Sequence, residues 1–195
     1  MKTKLILAIL LLMLFVKGFA QEVMSIVSIR PELTERPWID HSTHHLNGFT
    51  IKMVFGETPT KYRHSNLGQI TTVEYLDQGQ LLDSLDRSDL DTHQKTELRK
   101  KFLEAKGGAV NLFISRAKES DANFKWFFIV IRGEDDRKKI MEIDLEYQAA
   151  KIPEGNGWWN YTTVLLPMAV KTPFYIYVND RQSKSLSDFK FLIDR

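Results

Sequence analysis

The side chains with the clearest chemical potential in this sequence are three closely spaced histidines. His41, His44 and His45 lie within five residues of one another, directly after Asp40. Imidazole is the commonest metal-ligating side chain, and one loop can bring two or three such rings to the same ion. No further ligand is recognisable beside them, so a solvated loop explains the same residues. We therefore weigh a metal site at these histidines against an ordinary loop, and we expect no resident cofactor.

Motifs for a nucleophile or a nucleotide are not recognisable. The sequence contains no G-x-S-x-G elbow, no glycine-rich phosphate loop and no H-E-x-x-H helix. A catalytic site with dispersed members leaves no such pattern, because its residues meet only in the fold. An enzyme is therefore less favoured than a binding protein. The alternative that stays open is a small exported hydrolase using the Asp40–His45 loop, with or without a metal.

Adjacent aromatic residues form the second candidate site. Trp158 and Trp159 are neighbours in a predicted strand, and Tyr161 follows two positions later. Successive side chains of a strand point to opposite faces, so one indole is expected in the core and the other on the opposite face. An exposed indole or phenol offers a flat apolar surface with a polar rim, which suits a sugar ring or a protein partner. The alternative is a strand covered on both faces, which would make all three residues structural.

The N-terminal segment predicts export. Lys2 and Lys4 precede an unbroken apolar run at Leu5–Val16, and the small residues Gly18 and Ala20 stand at the −3 and −1 positions of a cleavage site. This three-part pattern is typical of a secretory signal peptide. The rival interpretation is a membrane span, but the run falls well short of the roughly 20 residues that a bilayer requires. We predict an exported protein, which in a bacterium would be periplasmic or extracellular.

Residues 1–20 are thus the predicted signal peptide, and residues 21–195 are predicted to form a single globular domain. The chain contains no cysteine, which excludes disulfides and cysteine-based zinc sites. Losing the three lysines of the signal peptide changes the formal net charge from +2 to −1. Such a balance lacks the basic footprint of a nucleic-acid-binding protein. No second long apolar run follows, so we expect no transmembrane segment in the mature chain.

Hydrophobic alternation predicts a β-rich fold. Phe49–Phe55 and Ile70–Leu76 have strand character, whereas the prolines of Arg30–Asn47 favour an irregular segment after a first strand at Val23–Ile29. The apolar stretch Trp126–Ile131 is expected to be covered on both faces. Beyond residue 108 the period of two persists and predicts six more strands: Val110–Arg116, Phe124–Arg132, Lys139–Tyr147, Trp158–Leu166, Phe174–Val178 and Phe189–Ile193.

One prominent helix is predicted at about residues 89–106. Ser88 or Asp89 is suited to cap it, and the pair Gly107-Gly108 is suited to end it. Strands that follow one another without intervening helices argue against a parallel sheet. The expected fold class is therefore α+β, a mostly antiparallel sheet or sandwich-like β-domain with one helix. The favoured function is an exported, non-catalytic binding or structural module that engages a glycan or a protein partner.

Overall fold

Two antiparallel sheets and two helices make up the computed structural model, which describes residues 43–55, 70–151, 158–182 and 189–195. The predicted signal peptide and the predicted strand Val23–Ile29 lie outside the described residues. In chain order the elements are β1 (Thr43–Leu46), β2 (Phe49–Phe55), β3 (Ile70–Leu76), α1 (Gln78–Arg87), α2 (Thr92–Glu104), β4 (Ala109–Arg116), β5 (Phe127–Arg132), β6 (Lys139–Asp144), β7 (Trp158–Leu165), β8 (Phe174–Asp180) and β9 (Phe189–Asp194). Short 3₁₀ turns at Glu119–Ala122 and Phe124–Trp126 connect β4 to β5.

The strands form a six-stranded and a three-stranded sheet. The larger sheet has the order β1-β2-β9-β8-β5-β6, and the smaller sheet has the order β3-β4-β7. Every pairing is antiparallel. The predicted α+β, sandwich-like fold class is confirmed.

The core lies between the two sheets, because every second residue of each strand turns inward. On the smaller sheet the inward row of β4 is fully buried, and on the larger sheet the inward rows of β5 and β8 are fully buried as well. Each such aliphatic or aromatic side chain stabilises the fold by about 1.5–3 kcal/mol. These rows consist of Val110, Leu112, Ile114, Phe127, Ile129, Ile131, Phe174, Ile176 and Val178.

The helices form a second apolar cluster at one end of the sandwich, which we call the helical end. Both helices start with a capping box: Asp77 accepts a hydrogen bond from the Gln80 amide, and Asp91 accepts one from the Gln94 amide. Leucines and a phenylalanine from both helices pack together there: Leu81, Leu85, Leu98 and Phe102. Among the described residues, no helix is long and apolar enough to cross a membrane.

The helix prediction needs two corrections. The second helix is shorter than residues 89–106 and is capped by Asp91 rather than by Ser88 or Asp89. The first helix, α1, was not predicted. The sequence does contain a signal for α1, because the capping-box residues Asp77 and Gln80 precede two leucines that are buried in the structure. This signal is hard to recognise because the helix follows strand β3 directly.

Two strand predictions also need correction. Trp126 lies in a 3₁₀ turn rather than in a strand, and Phe128 is only half-buried, so the outer face of β5 is not fully covered. Tyr147 lies beyond the end of β6 and is 68% exposed, although the predicted strand Lys139–Tyr147 included it. At Trp126 and at Tyr147 the apolar alternation of the sequence extends beyond the residues that form the strand.

The segment before residue 47 is more regular than its prolines suggested. Thr43–Leu46 is a strand that pairs with β2 through the turn residues Asn47 and Gly48, whose φ angles are +55° and +75°. Positive φ at both central residues matches the right-handed twist of a hairpin, which is why Asn-Gly favours this turn. The irregular segment predicted at Arg30–Asn47 is therefore wrong at its C-terminal end.

Candidate ligand-binding site

The inner faces of both sheets end in a polar layer at the end of the sandwich opposite the helices. Five inward positions share this layer, which we call the polar end: Thr71, Arg116, Trp158, Asn160 and Asp180. Each follows the parity of buried core residues on its own strand. Strand ends from both sheets therefore converge there, and charged and polar groups lie beside the buried rings of Phe127 and Phe189.

Arg116 is the most deeply buried charge of the polar end. It is 1% exposed, donates to the Ser115 carbonyl oxygen at 2.9 Å and to the Thr71 hydroxyl at 2.9 Å. Its guanidinium carbon lies 5.1 Å from the centre of the Phe127 ring and 5.8 Å from that of Phe189. A cation over a ring face is stabilised by the ring quadrupole, and more so when water is excluded. Arg116 thus bridges the smaller sheet to two strands of the larger one.

Asp180 ends β8 on the inward side, directly opposite Phe127 in β5. Burial raises the pKa of its carboxyl, and the charge of Asp121 adds to this shift, while the Gln182 amide and the Arg116 charge oppose it. One carboxylate oxygen accepts a hydrogen bond from the Gln182 amide at 2.9 Å. Within the described part of the chain, the other oxygen has no hydrogen-bond partner. The polar end therefore presents a half-buried acceptor with spare capacity.

Asn160 connects the polar end to the loop after β6 through hydrogen bonds. Its amide nitrogen donates to the carbonyl oxygens of Ala122 at 3.1 Å and of Gln148 at 2.8 Å. The residue is fully buried. Asn160 also begins an N-x-T sequence, the acceptor pattern for N-glycosylation, but a buried amide with these bonds is closed to modification in the folded protein.

The two adjacent tryptophans have different surroundings. Trp159 lies on the outer face of the smaller sheet, 6.2 Å from the Phe113 ring in a stacked arrangement, with the Lys151 ammonium 4.5 Å from its ring centre. Its indole N–H is buried. Trp158 points into the polar end beside Arg116. No ring contact, cation or hydrogen bond engages the Trp158 indole among the residues that the structure describes.

The expected exposure of these aromatic residues is corrected in part. Strand alternation sends the indoles of Trp158 and Trp159 to opposite faces, as expected, yet both are half-buried and neither is fully exposed. Tyr161, expected beside an exposed indole, is 3% exposed because it lies next to Phe113 in the adjoining strand. Of the three candidate ligand-binding residues, Trp158 is the one that is half-buried and makes no ring contact, cation contact or hydrogen bond with a described residue.

The histidines lie away from the polar end. His45 is in β1, opposite Thr50, and its Nδ1 atom lies 3.0 Å from the Thr50 hydroxyl; this places it towards the helical end. His44 shares the strand, but its side chain is not described, and His41 lies outside the described residues. Among the side chains that are described, no group of three histidine, aspartate or glutamate residues is placed to hold a metal. The metal site and the hydrolase hypothesis that uses Asp40–His45 stay predictions.

Sequence reasoning missed Arg116 and Asp180, although a signal for both was present. Arg116 continues the inward parity of Val110 to Ile114, and Asp180 continues that of Phe174 to Val178. A charged residue at an inward position normally marks the end of a strand, and here both strands end on the same side of the sandwich. The sequence does not show that the two sheets pack against each other, and it is this packing that brings Arg116 and Asp180 to the same end.

Comparisons with known proteins supply no family assignment. No protein-family model matches the chain, and the search of curated proteins finds no match either.

Proposed function

We propose that the protein is an exported, non-catalytic binding module that holds a glycan or a protein partner at the polar end of its sandwich. The observation that carries this proposal is the difference between the two tryptophans. Trp159 is engaged by Phe113 and Lys151, whereas the half-buried Trp158 indole faces the polar end and makes no ring contact, cation contact or hydrogen bond with a described residue.

Trp158 is well placed to act as an anchor because its backbone is rigidly held. Strand β7 pairs with β4 along its whole length, and Asn160, on the same face of β7, is fixed by two carbonyl oxygens. An aromatic side chain that is positioned before the ligand arrives loses little conformational freedom on binding. A flat ring with a polar N–H at its edge suits a sugar ring or an apolar side chain of a partner.

Adjacent tryptophans provide a matched pair of variants for the test. Trp158→Ala and Trp159→Ala remove the same side chain from neighbouring, half-buried positions on opposite faces. Binding would be measured against a glycan array and a displayed-peptide library, with urea unfolding of each variant as the control for folding. We expect Trp158→Ala to weaken binding by about 30-fold or more, as loss of an interface anchor does. Trp159→Ala should retain affinity while losing more stability. Equal affinity of Trp158→Ala and the unaltered protein would contradict the proposal.

Export is tested separately, by the N-terminus of the native protein. Cleavage after Ala20 predicts a mature chain that begins at Gln21. Intact-mass and N-terminal peptide measurements on protein from its natural host check this. Retention of residues 1–20 in the native protein would contradict the export part of the proposal and leave the binding part unaffected.

A further inference from the structure

On the basis of the proposed function, we propose that the ligand at the polar end is a neutral carbohydrate, and that Asp180 selects it by accepting a hydrogen bond from a ring hydroxyl. Three observations lead to this assignment: the adjacency of Asp180 and Trp158 across Arg116, the spare acceptor of the Asp180 carboxylate, and the charges around it.

The adjacency follows from strand register and one packing contact. Trp158 lies directly opposite Arg116 in the smaller sheet. The Arg116 guanidinium lies over the ring of Phe127, which is directly opposite Asp180 in the larger sheet. Trp158 and Asp180 therefore flank the same buried guanidinium, one from each sheet. The proposed ligand would stack on the indole and donate a hydrogen bond to the carboxylate.

The spare acceptor favours a ligand that donates hydrogen bonds. Only one oxygen of Asp180 is bonded among the described residues, to the Gln182 amide. The Asp180 side chain is half-buried, so water solvates its charge only in part, and this burial raises the carboxyl pKa. A partly desolvated acceptor gains from a hydroxyl donor that replaces lost water, and a charge-assisted bond of this kind is stronger than a neutral one.

The charges at this end favour a neutral hydroxylated ligand over charged ones. Asp121 and Asp180 lie close enough for one charge to raise the pKa of the other, and they would repel a carboxylate or sulfate on an acidic sugar. The buried Arg116 opposes a cationic ligand, and two of its nitrogens already donate to the Ser115 carbonyl oxygen and the Thr71 hydroxyl. A neutral sugar avoids both penalties, since its hydroxyls donate to Asp180 and its C–H face packs on the Trp158 indole.

Asp180→Asn is the direct test, because the amide keeps the size of the side chain and an oxygen for Gln182 but removes the charge. Asp194→Asn is the matched control, since Asp194 is an exposed aspartate on the outer face of β9 at the helical end. Each variant would be titrated by calorimetry with the neutral oligosaccharide that binds the unaltered protein best on an array, and with a uronate-containing oligosaccharide of equal length. Thermal unfolding of both variants would show that they are folded.

We expect the neutral oligosaccharide to bind the unaltered protein and Asp194→Asn alike, and Asp180→Asn at least 10-fold more weakly. The uronate-containing oligosaccharide should bind the unaltered protein at least 10-fold more weakly than the neutral one. Unchanged affinity in Asp180→Asn, stronger binding of the uronate, or binding of peptides but of no neutral glycan would overturn this inference. If Trp158→Ala still loses binding in any of these cases, the proposed function stands; if Trp158→Ala binds normally, the proposed function itself fails.

Discussion

Trp158 lies directly opposite Arg116 in the register of β7 with β4. Arg116 is 1% exposed and held by two hydrogen bonds and two aromatic rings. The Trp158 indole is half-buried and makes no ring contact, cation contact or hydrogen bond with a described residue. A buried, hydrogen-bonded cation therefore lies next to a half-buried indole on the same face of the smaller sheet.

Arg116 is expected to be essential for stability because it connects the two sheets. Arg116→Ala would leave a cavity between Phe127 and Phe189 and remove the partner of the Thr71 hydroxyl, at a cost of about 3–5 kcal/mol in the free energy of unfolding. Arg116→Lys keeps the charge but loses the planar donors, so it should recover only part of that loss. Urea unfolding checks both variants. A loss below about 1 kcal/mol for Arg116→Ala would mean that the guanidinium is not a structural bridge.

Phe127 and Phe128 are neighbours with unequal burial. Phe127 is fully buried under Arg116, whereas Phe128 is half-buried on the outer face, with the Arg181 guanidinium 4.9 Å from its ring. Phe127→Ala should lower the free energy of unfolding by about 3–5 kcal/mol, and Phe128→Ala by about 1–2 kcal/mol. Chemical denaturation of the two single variants tests this difference. Equal losses would indicate that the outer face of β5 is covered as fully as the inner face.

Asp180 should reduce stability at neutral pH, as binding groups often do. Its pKa is raised in the folded protein, chiefly by burial, so the folded state favours the protonated carboxyl. The stabilising effect of protonation is present at low pH and is lost as the pH rises through the folded pKa. Asp180→Asn should therefore be more stable than the unaltered protein at pH 7, and this advantage should shrink as the pH falls towards 4. Thermal unfolding across that range checks the trend; a variant that is less stable at pH 7 would contradict it.

Tyr75 provides a pH test at the helical end. Its hydroxyl donates to the Gly107 carbonyl oxygen at 2.9 Å, and burial, with a contribution from Asp77, raises its pKa to about 12. Because the unfolded pKa is near 10, stability due to this group is complete below pH 10 and is lost as the pH rises towards 12. The loss at pH 11.5 should be about 2 kcal/mol and absent in Tyr75→Phe. Denaturant titrations of both proteins at pH 9 and pH 11.5 measure it, and identical pH slopes would contradict the assignment.

The strands were predictable because burial on one face preserves the period of two. The predicted bounds of Phe49–Phe55 and Ile70–Leu76 agree with the structure, and the later strands differ by a few residues at their ends. Helix α1 was not predicted because it follows strand β3 directly and has few apolar positions. The helical period of its leucines is therefore hard to separate from the period of two of the strand before it. The polar end escaped prediction for another reason: Arg116 and Asp180 come together only through the packing of two sheets, a long-range contact that no local pattern reports.

The most direct test of the account is to observe which indole the ligand touches. The chain contains four tryptophans, and two-dimensional ¹⁵N NMR resolves each indole N–H, with Trp158→Phe and Trp159→Phe supplying the assignments. During titration with the best-binding array oligosaccharide, the account predicts a saturable shift of the Trp158 signal and little change at Trp159. A saturable shift at Trp159 with Trp158 unmoved would contradict it.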